Sequence, residues 1–270
     1  MEQRLQSIAS SRLMSFLDGF SGYNQILVRP DDQLKTTFRT KWGTYTYQKM
    51  PFGLINAGAT FQRAMDIAFK GLVNKLVMIY LDDITVYSKK CSNHLRDLKQ
   101  IFECCQRLGI SLNPKKSFFT LSEGKLLGFI VSKEGIHIDP DIIREISEIP
   151  LPHNEKSMQS FLGQINFVKR FVPDFSRIVL PLQSMIKKNS LFKWGHSEHE
   201  AFSFIKQAII NTPSLATPNF SNHFFLYTFA SEKSYAAILT QVNQDKAKAL
   251  ISFFSSNLQG AELNYSDVEK

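Results

Sequence analysis

The sequence predicts an α+β fold in three blocks, and three observations predict it. Short β-branched runs mix with helical spacing up to about Ile138, helical patterns bounded by prolines follow, and a last block passes from a helix into strands. The expected domains are therefore 1–138, 139–190 and 191–270. No internal repeat or low-complexity stretch competes with this division.

In the first block, Leu13 to Leu17 reads as a strand ending at Asp18, and Ile26 to Val28 as a strand closed by Pro30. Thr44 to Tyr47 reads as another, before Met50 and Pro51. Asn56 to Phe69 has helical spacing, with Ala59, Phe61, Met65 and Phe69 as candidate core positions. Leu76 to Tyr80 and Ile84 to Tyr87 are apolar runs parted by Leu81, Asp82 and Asp83, the pattern of a hairpin. A helix over Ser92 to Leu108 stops at Gly109, and Leu126, Leu127 and Gly128 belong to a further short strand pattern. The second block follows a linker at Pro150 and Pro152. Asn154 or Ser157 caps a helix carrying Phe161, Leu162, Ile165 and Val168, and Pro173 with Asp174 opens another through Ile178, Leu182 and Met185. The third has a helix over Ala201 to Ile210, breaks at Pro213 and Pro218, and strands at Phe224 to Thr228 and Ala236 to Thr240.

Composition removes several classes of function. Hydrophobic residues make up 43% and charged residues 21% of the 270, which fits neither a disordered tail nor a fibre. The longest uncharged apolar run, Leu76 to Leu81, is far below the ~20 residues of a membrane helix, and the N-terminus lacks an apolar signal core. The expectation is an intracellular protein without a membrane partner. Cys91, Cys104 and Cys105 form neither a disulfide framework nor a zinc pair. Charge is unevenly placed: Arg29 to Lys125 holds 16 Lys and Arg against 8 Asp and Glu, and the rest balances at 16 against 16. A basic segment interleaved with Phe and Tyr suits a polyanion, although a solvated surface has the same composition.

The chemistry concentrates in carboxylates set among apolar residues. Asp82 and Asp83 are adjacent at a hairpin apex, where two like charges repel unless a cation joins them. Asp is also an ordinary turn residue. Hard divalent cations choose carboxylate oxygens, and Asp18, before Gly19 and Gly22, is the third candidate ligand. An acid on one strand and a pair on a neighbouring hairpin is the layout for two ions ~3.5 to 4 Å apart that serve in-line phosphoryl transfer.

Six ordered segments carry a resemblance: Phe16-Leu17-Asp18-Gly19-Phe20-Ser21-Gly22-Tyr23-Asn24-Gln25-Ile26, Lys35-Thr36-Thr37-Phe38, Met50-Pro51-Phe52-Gly53-Leu54, Phe61-Gln62-Arg63, Tyr80-Leu81-Asp82-Asp83 and Leu127-Gly128-Phe129. Together they resemble the reverse transcriptase of gypsy-type long-terminal-repeat retrotransposons. Ser160-Phe161-Leu162-Gly163 and Arg170 to Ser176 look like that family's thumb. The resemblance implies an RNA-directed DNA polymerase: a right-hand palm with partial fingers, a helical thumb and a truncated ribonuclease H-like domain. It implies two Mg²⁺ or Mn²⁺ ions on Asp18, Asp82 and Asp83, and a primed RNA or DNA template with deoxynucleoside triphosphates as partners. It further implies Tyr23 as the gate against a ribose 2′-hydroxyl, Phe52 and Gly53 against the incoming nucleotide, and Leu127 and Gly128 gripping the primer end. Read alone, Tyr23 is a core aromatic, Phe52 and Gly53 a helix-entry loop, and Leu127 and Gly128 a strand with a bulge. Lys115 or Lys116 facing a triphosphate competes with plain solvated lysine.

The sequence also departs from that family. Leu226 to Ser231 and Ala237 to Gln241 resemble its ribonuclease H-like domain, but Phe229 stands where the first metal-binding Asp is expected and the next acid falls past Lys270. Ribonuclease H activity is therefore expected to be absent. Glu232 and Asp245 lie nearby without a spacing that recommends them. His196 and His199 have metal-like spacing but no partnering cluster. Only Met1 to Leu17 precede Asp18, where the family has a fingers segment. The alternative reading is an inactive remnant that only binds nucleic acid.

Overall fold

A computed structural model describes Leu5, Ile8, Ala9 and residues 11–187, 191–243 and 246–266; Asp245 lies outside the described residues. The chain divides into two compact units, Met1–Gly124 and Lys125–Lys270.

The first unit is an antiparallel sheet backed by two helices. Besides a single helical turn at Pro30–Gln33 and short 3-10 turns, its elements are β1 (Leu13–Gly19), β2 (Phe38–Thr40), β3 (Gly43–Tyr45), α1 (Ala57–Ala68), β4 (Val77–Tyr80), β5 (Asp83–Ser88), α2 (His94–Leu108) and β6 (Leu112–Leu121). The main sheet runs β4-β5-β1-β6, and β2 pairs with β3 in a separate hairpin. Ala57, Phe61 and Met65 repeat every fourth residue on α1 and continue to Phe69, giving one apolar stripe. That stripe packs with Leu17, Val77, Ile79, Ile84 and Val86 of the sheet and Leu98 and Ile101 of α2. Gly109 ends α2 at φ +67, a conformation that costs glycine little.

Three sequence expectations are corrected in this unit. Ile26 to Val28 is not a strand: only a single bridge joins Leu27 to Lys49, because Pro30 follows and Leu27 is exposed. Ala59 is exposed and Ala57 takes its place, since the stripe advances in steps of four from 57. The strand expected at Thr44 to Tyr47 is β3, shifted back by one residue and ended by Tyr45.

The chain enters the second unit within β7 (Glu123–Leu126). There follow β8 (Phe129–Ser132), β9 (Gly135–Ile138), α3 (Pro140–Glu148), α4 (Glu155–Phe167), α5 (Phe175–Ser184), α6 (His196–Ile210), β10 (Phe224–Ala230), β11 (Ser234–Val242) and β12 (Lys248–Asn257). Leu127 and Gly128, expected as strand and bulge, are instead the two-residue turn between β7 and β8. Both have positive φ, +51 and +79, as a primed hairpin turn requires. Asp139 caps α3 by accepting the Asp141 N–H at 3.0 Å, with Pro140 at the first helical position. Asn154 and Ser157 cap α4 reciprocally, so both candidates act together. The helix expected from Ala201 starts at His196, where the Glu198 carboxylate accepts the Gly195 N–H. Strands β10, β11 and β12 form an antiparallel sheet, and the Ser176 N–H at the start of α5 donates to Ser255 Oγ of β12 at 2.9 Å. No helix among the described residues is long and apolar enough to cross a membrane.

Candidate active site

β1 and β5 run antiparallel in a register that pairs Leu13 with Ser88 and Asp18 with Asp83. β4 and β5 pair Tyr80 with Asp83, leaving Leu81 and Asp82 as the turn. The three acids of the sequence analysis therefore gather at one end of the sheet. Like charges directly opposed across strands are destabilising, so pairing Asp18 with Asp83 is not favoured by the sheet itself.

The turn is held by specific bonds. Leu81 adopts φ +53, unusual for a branched residue, and its N–H donates to Gln62 Oε1 on α1 at 2.8 Å. Gln62 Nε2 donates to the Ile79 carbonyl at 3.2 Å, so one side chain holds both the end of β4 and the first residue of the turn. The Gly19 N–H donates to the Asp82 carbonyl at 3.0 Å and ties the turn to the end of β1.

The Asp82 carboxylate lies against Gly22, where a methyl group would overlap Asp82 Oδ1 and come within 2.8 Å of Phe61. Asp82 Oδ1 is buried without a hydrogen-bond partner. Burial, then the charge of Asp18, then that of Asp83 raise the pKa of Asp82; burial and then Asp18 raise that of Asp83. The carboxylates thus feel one another, although among the described residues no three His, Cys, Asp or Glu side chains converge closely enough as placed to hold an ion. Hard oxygen donors and an orphaned buried carboxylate oxygen fit a divalent cation in chemistry.

A buried polar chain beneath β1 escaped the sequence reading. Ser88 Oγ donates to Asp97 Oδ2 at 2.7 Å, so it accepts from His94 Nδ1 at 3.0 Å. Ser15 Oγ accepts the Thr120 N–H at 3.1 Å and stands 2.8 Å from His94 Nε2, to which it donates. The arrangement is satisfied by neutral imidazole with its proton on Nδ1. Burial lowers the pKa of His94, opposed by the charge of Asp97. Arg96 pairs with Asp97 at 3.2 Å. This chain joins β1, β5, β6 and α2, and it braces the register that sets Asp18 opposite Asp83. Neither Gln62 nor His94 announces such a role in sequence: each is one polar residue in a helical pattern, and its partners are remote.

Tyr23 is half-buried on the core and meets Phe52 edge-on at 4.9 Å and Phe61 at 5.3 Å. Phe52 is exposed, and Gly53 follows at φ +95 with open space around it. The structure thus brings Tyr23, Phe52 and Gly53 together beside Gly22 and Phe61. In the second unit, the Leu127–Gly128 turn rests on α3 and α4: a methyl at Gly128 would come within 2.7 Å of Ile142 and 2.9 Å of Phe167. Phe129 stacks on Phe167 at 4.7 Å, and the Arg170 guanidinium lies 4.7 Å from the Phe129 ring.

The remaining candidates have ordinary surroundings. Lys115 and Lys116 are exposed on β6. His196 faces Glu200 at 3.3 Å, and His199 packs on Trp194. Cys91 is exposed, Cys104 and Cys105 are buried, and burial pushes the Cys105 thiol up to about 11. Phe229 is exposed on β10, opposite Ala236, and Glu232 is exposed in the loop that follows.

Residues 2–131 match the family described as "Reverse transcriptase (RNA-dependent DNA polymerase)", and residues 194–270 the one described as "RNase H-like domain found in reverse transcriptase". Over its whole length the chain is 35% identical to the retrovirus-related Pol polyprotein from transposon 297 of Drosophila melanogaster and 31% identical to the transposon Tf2-3 polyprotein of Schizosaccharomyces pombe. It spans 25% and 20% of the length of these curated relatives. Among solved structures, it is similar to a foamy viral protease-reverse transcriptase in complex with double-stranded DNA. There the TM-score is 0.84 at 25% identity, over 96% of this chain and 45% of that one. A second foamy viral structure, in complex with an RNA/DNA hybrid, matches with TM-score 0.80 at 24% identity, over 98% of this chain and 36% of the other.

Proposed function

The chain belongs to the reverse transcriptases of LTR-retrotransposon Pol polyproteins, and on that footing we propose that it adds deoxynucleotides to a primer 3′ end on an RNA or DNA template. The observation that carries this reading is the register placing Asp18 opposite Asp83, with Asp82 and its orphaned oxygen at the adjoining turn. A folded chain tolerates such opposed carboxylates where function requires them. Reverse transcriptases use divalent metal ions; when bound here by Asp18, Asp82 and Asp83, two Mg²⁺ would acidify the attacking hydroxyl and stabilise charge on the reacting phosphate.

The chain's own groups supply position. Gln62 and the Gly19 N–H hold the acid turn at the end of β1. The Tyr23 ring, fixed by Phe61 and Phe52, is a wall against which a sugar bearing a 2′-hydroxyl would clash, and Phe52 with the open backbone at Gly53 admits the incoming nucleotide. Leu127 and Gly128 offer backbone at a tight turn to the primer end.

Primer extension on a poly-A template with Mg²⁺, beside an Asp82→Asn control, tests the reading. Extension that Asp82→Asn abolishes while duplex binding persists is the expected result; extension unaffected by the substitution would refute the assignment. The β10–β12 sheet is expected to leave the RNA of an RNA–DNA hybrid uncut with Mg²⁺ or Mn²⁺, since a phenyl ring at 229 ligates no metal. Metal-dependent cleavage lost on mutating Glu232 would overturn that expectation.

A further inference from the structure

The β2–β3 hairpin is only three residues long on each side, yet it and Tyr47, two residues past its end, carry four large aromatic residues that the core does not cover. Trp42 is 77% exposed, Tyr45 48%, Tyr47 42% and Phe38 40%. An isolated two-stranded hairpin of this length is marginal in water, and aromatic side chains ordinarily supply core area. A contiguous exposed aromatic surface marks an interaction site.

The register explains how the surface is built. Phe38 pairs with Tyr45, so both rings stand on one face, 5.9 Å apart and stacked, and the Tyr47 ring lies 5.0 Å from Phe38. Arg39 pairs with Thr44 on the opposite face. Lys41 and Trp42 form the turn, and the Lys41 ammonium sits 4.3 Å from the Trp42 ring. That leaves the other face of the indole open.

Charge selects the partner. Asp31 and Asp32 are taken up by Arg29 and Lys35, at 3.0 and 2.6 Å. Among the described residues no carboxylate pairs with Arg39, Lys41 or Lys49, all of them exposed around the same hairpin. Flat π-faces interleaved with free cations match nucleobases and phosphates.

Distance then selects the mode. A base inserted between two rings needs them about 7 Å apart, twice the ~3.4 Å stacking step. The Phe38–Tyr45 and Phe38–Tyr47 gaps are too narrow for that. Bases can stack only on outer faces, and Trp42 offers the most open one. A base already paired and stacked within a duplex presents no free face, so the surface discriminates in favour of single strands.

We propose that the β2–β3 hairpin is a stacking platform for unpaired bases of single-stranded nucleic acid, with Trp42 as its principal face and Arg39, Lys41 and Lys49 meeting the phosphates. It deepens the polymerase reading and rests on it only in taking the bound strand to be the unpaired part of the template. Binding itself is independent of catalysis.

The protein has two tryptophans, and Trp194 is anchored by a hydrogen bond to the Pro152 carbonyl at 2.8 Å, so a Trp194→Phe background makes Trp42 the sole indole reporter. Single-stranded oligo(dT) should quench its fluorescence saturably, and a blunt duplex of equal length should not. By anisotropy of the labelled strand, Trp42→Ala should weaken single-strand binding about tenfold and Trp42→Phe much less, in line with stacking worth per base. Blunt-duplex affinity should be unchanged in both. Because Trp42 is exposed, unaltered circular dichroism is expected, and the Phe variant keeps the test valid if Ala perturbs the hairpin. Equal single-strand affinity in the parent, Ala and Phe proteins would overturn the platform, as would an equal loss for blunt duplex. Quenching by phosphatidylserine vesicles in place of oligonucleotide would also overturn it. Quenching without primer extension would sink the polymerase reading alone, and extension without quenching the platform alone.

Discussion

Asp82 is half-buried, its Oδ1 is buried without a hydrogen-bond partner and two like charges lie nearby, so in the absence of a cation it strains the unit that holds it. Neutralising it relieves that strain. Asp82→Asn should therefore raise the metal-free thermal midpoint by ~2–4 °C, the shift expected of roughly 1 kcal/mol. Millimolar Mg²⁺ should raise the midpoint of the parent protein and leave that of Asp82→Asn nearly unmoved, because binding to the native state alone is what stabilises. A scanning calorimeter reads both; an equal Mg²⁺ shift in the two proteins would refute ligation by Asp82. At this scale the acids were legible because carboxylates interrupt apolar strand runs, and the motif match ranked them. Gln62 was not, since its value lies in two backbone groups that only the tertiary fold brings to it.

Among elements, β1 depends most on a single remote side chain. Of six histidines only His94 is buried, and its folded pKa is lowered below the ordinary 6.5. The unfolded chain therefore binds the proton more readily than the folded one. Stability from this group is fully present above about pH 6.5 and is lost as pH falls through the lower folded value. Thermal midpoints taken from pH 7.5 to 5.5 should drop, and His94→Gln, which takes up no proton, should be less stable at pH 7.5 by ~1–3 kcal/mol yet show a flatter profile. An unchanged slope in the variant would reassign the titration. The β7–β8 turn makes a second case. Gly128→Ala forces a methyl into Ile142 and Phe167 at positive φ and should cost ~2–3 kcal/mol, whereas Gly163→Ala, helical in α4 with nothing within 4 Å, should gain ~0.5–1 kcal/mol. Urea titration distinguishes the signs. Helices with a steady stripe and a stop signal, such as α1 and α2, were visible in sequence. β6, β9 and β12 are less legible, since β6 is largely exposed, β9 is only four residues long and β12 runs Ser252-Phe253-Phe254-Ser255 without alternation, whereas α3 carries a sound start signal in Asp139-Pro140.

At the scale of the whole molecule, charge placement was readable from the sequence, whereas the grouping of residues after Gly124 into one unit was not. Helices α5 and α6 and the β10–β12 sheet pack through contacts distant in sequence, such as Ser176 with Ser255, and no composition shift at Phe192 marks or denies that packing. The surplus of eight positive charges lies between Arg29 and Lys125, a segment that contains the Asp82–Asp83 turn and the aromatic hairpin alike. A partner held by this segment is held largely through phosphates, which fix position without reading sequence. Binding of a primed template should then release condensed cations in proportion to the phosphates met. For about six such contacts, affinity should fall by ~10³-fold between 50 and 200 mM salt, with little dependence on base composition. Anisotropy titrations of one labelled hybrid duplex across that range give the slope directly. Lys41→Ala should lower it by about one unit for a template with an overhang and not for a blunt duplex, because Lys41 stands at the hairpin tip beside the stacking face. A slope near zero would mean that the basic segment is merely solvated surface, and a Lys41 effect equal on both substrates would separate the hairpin from the unpaired strand.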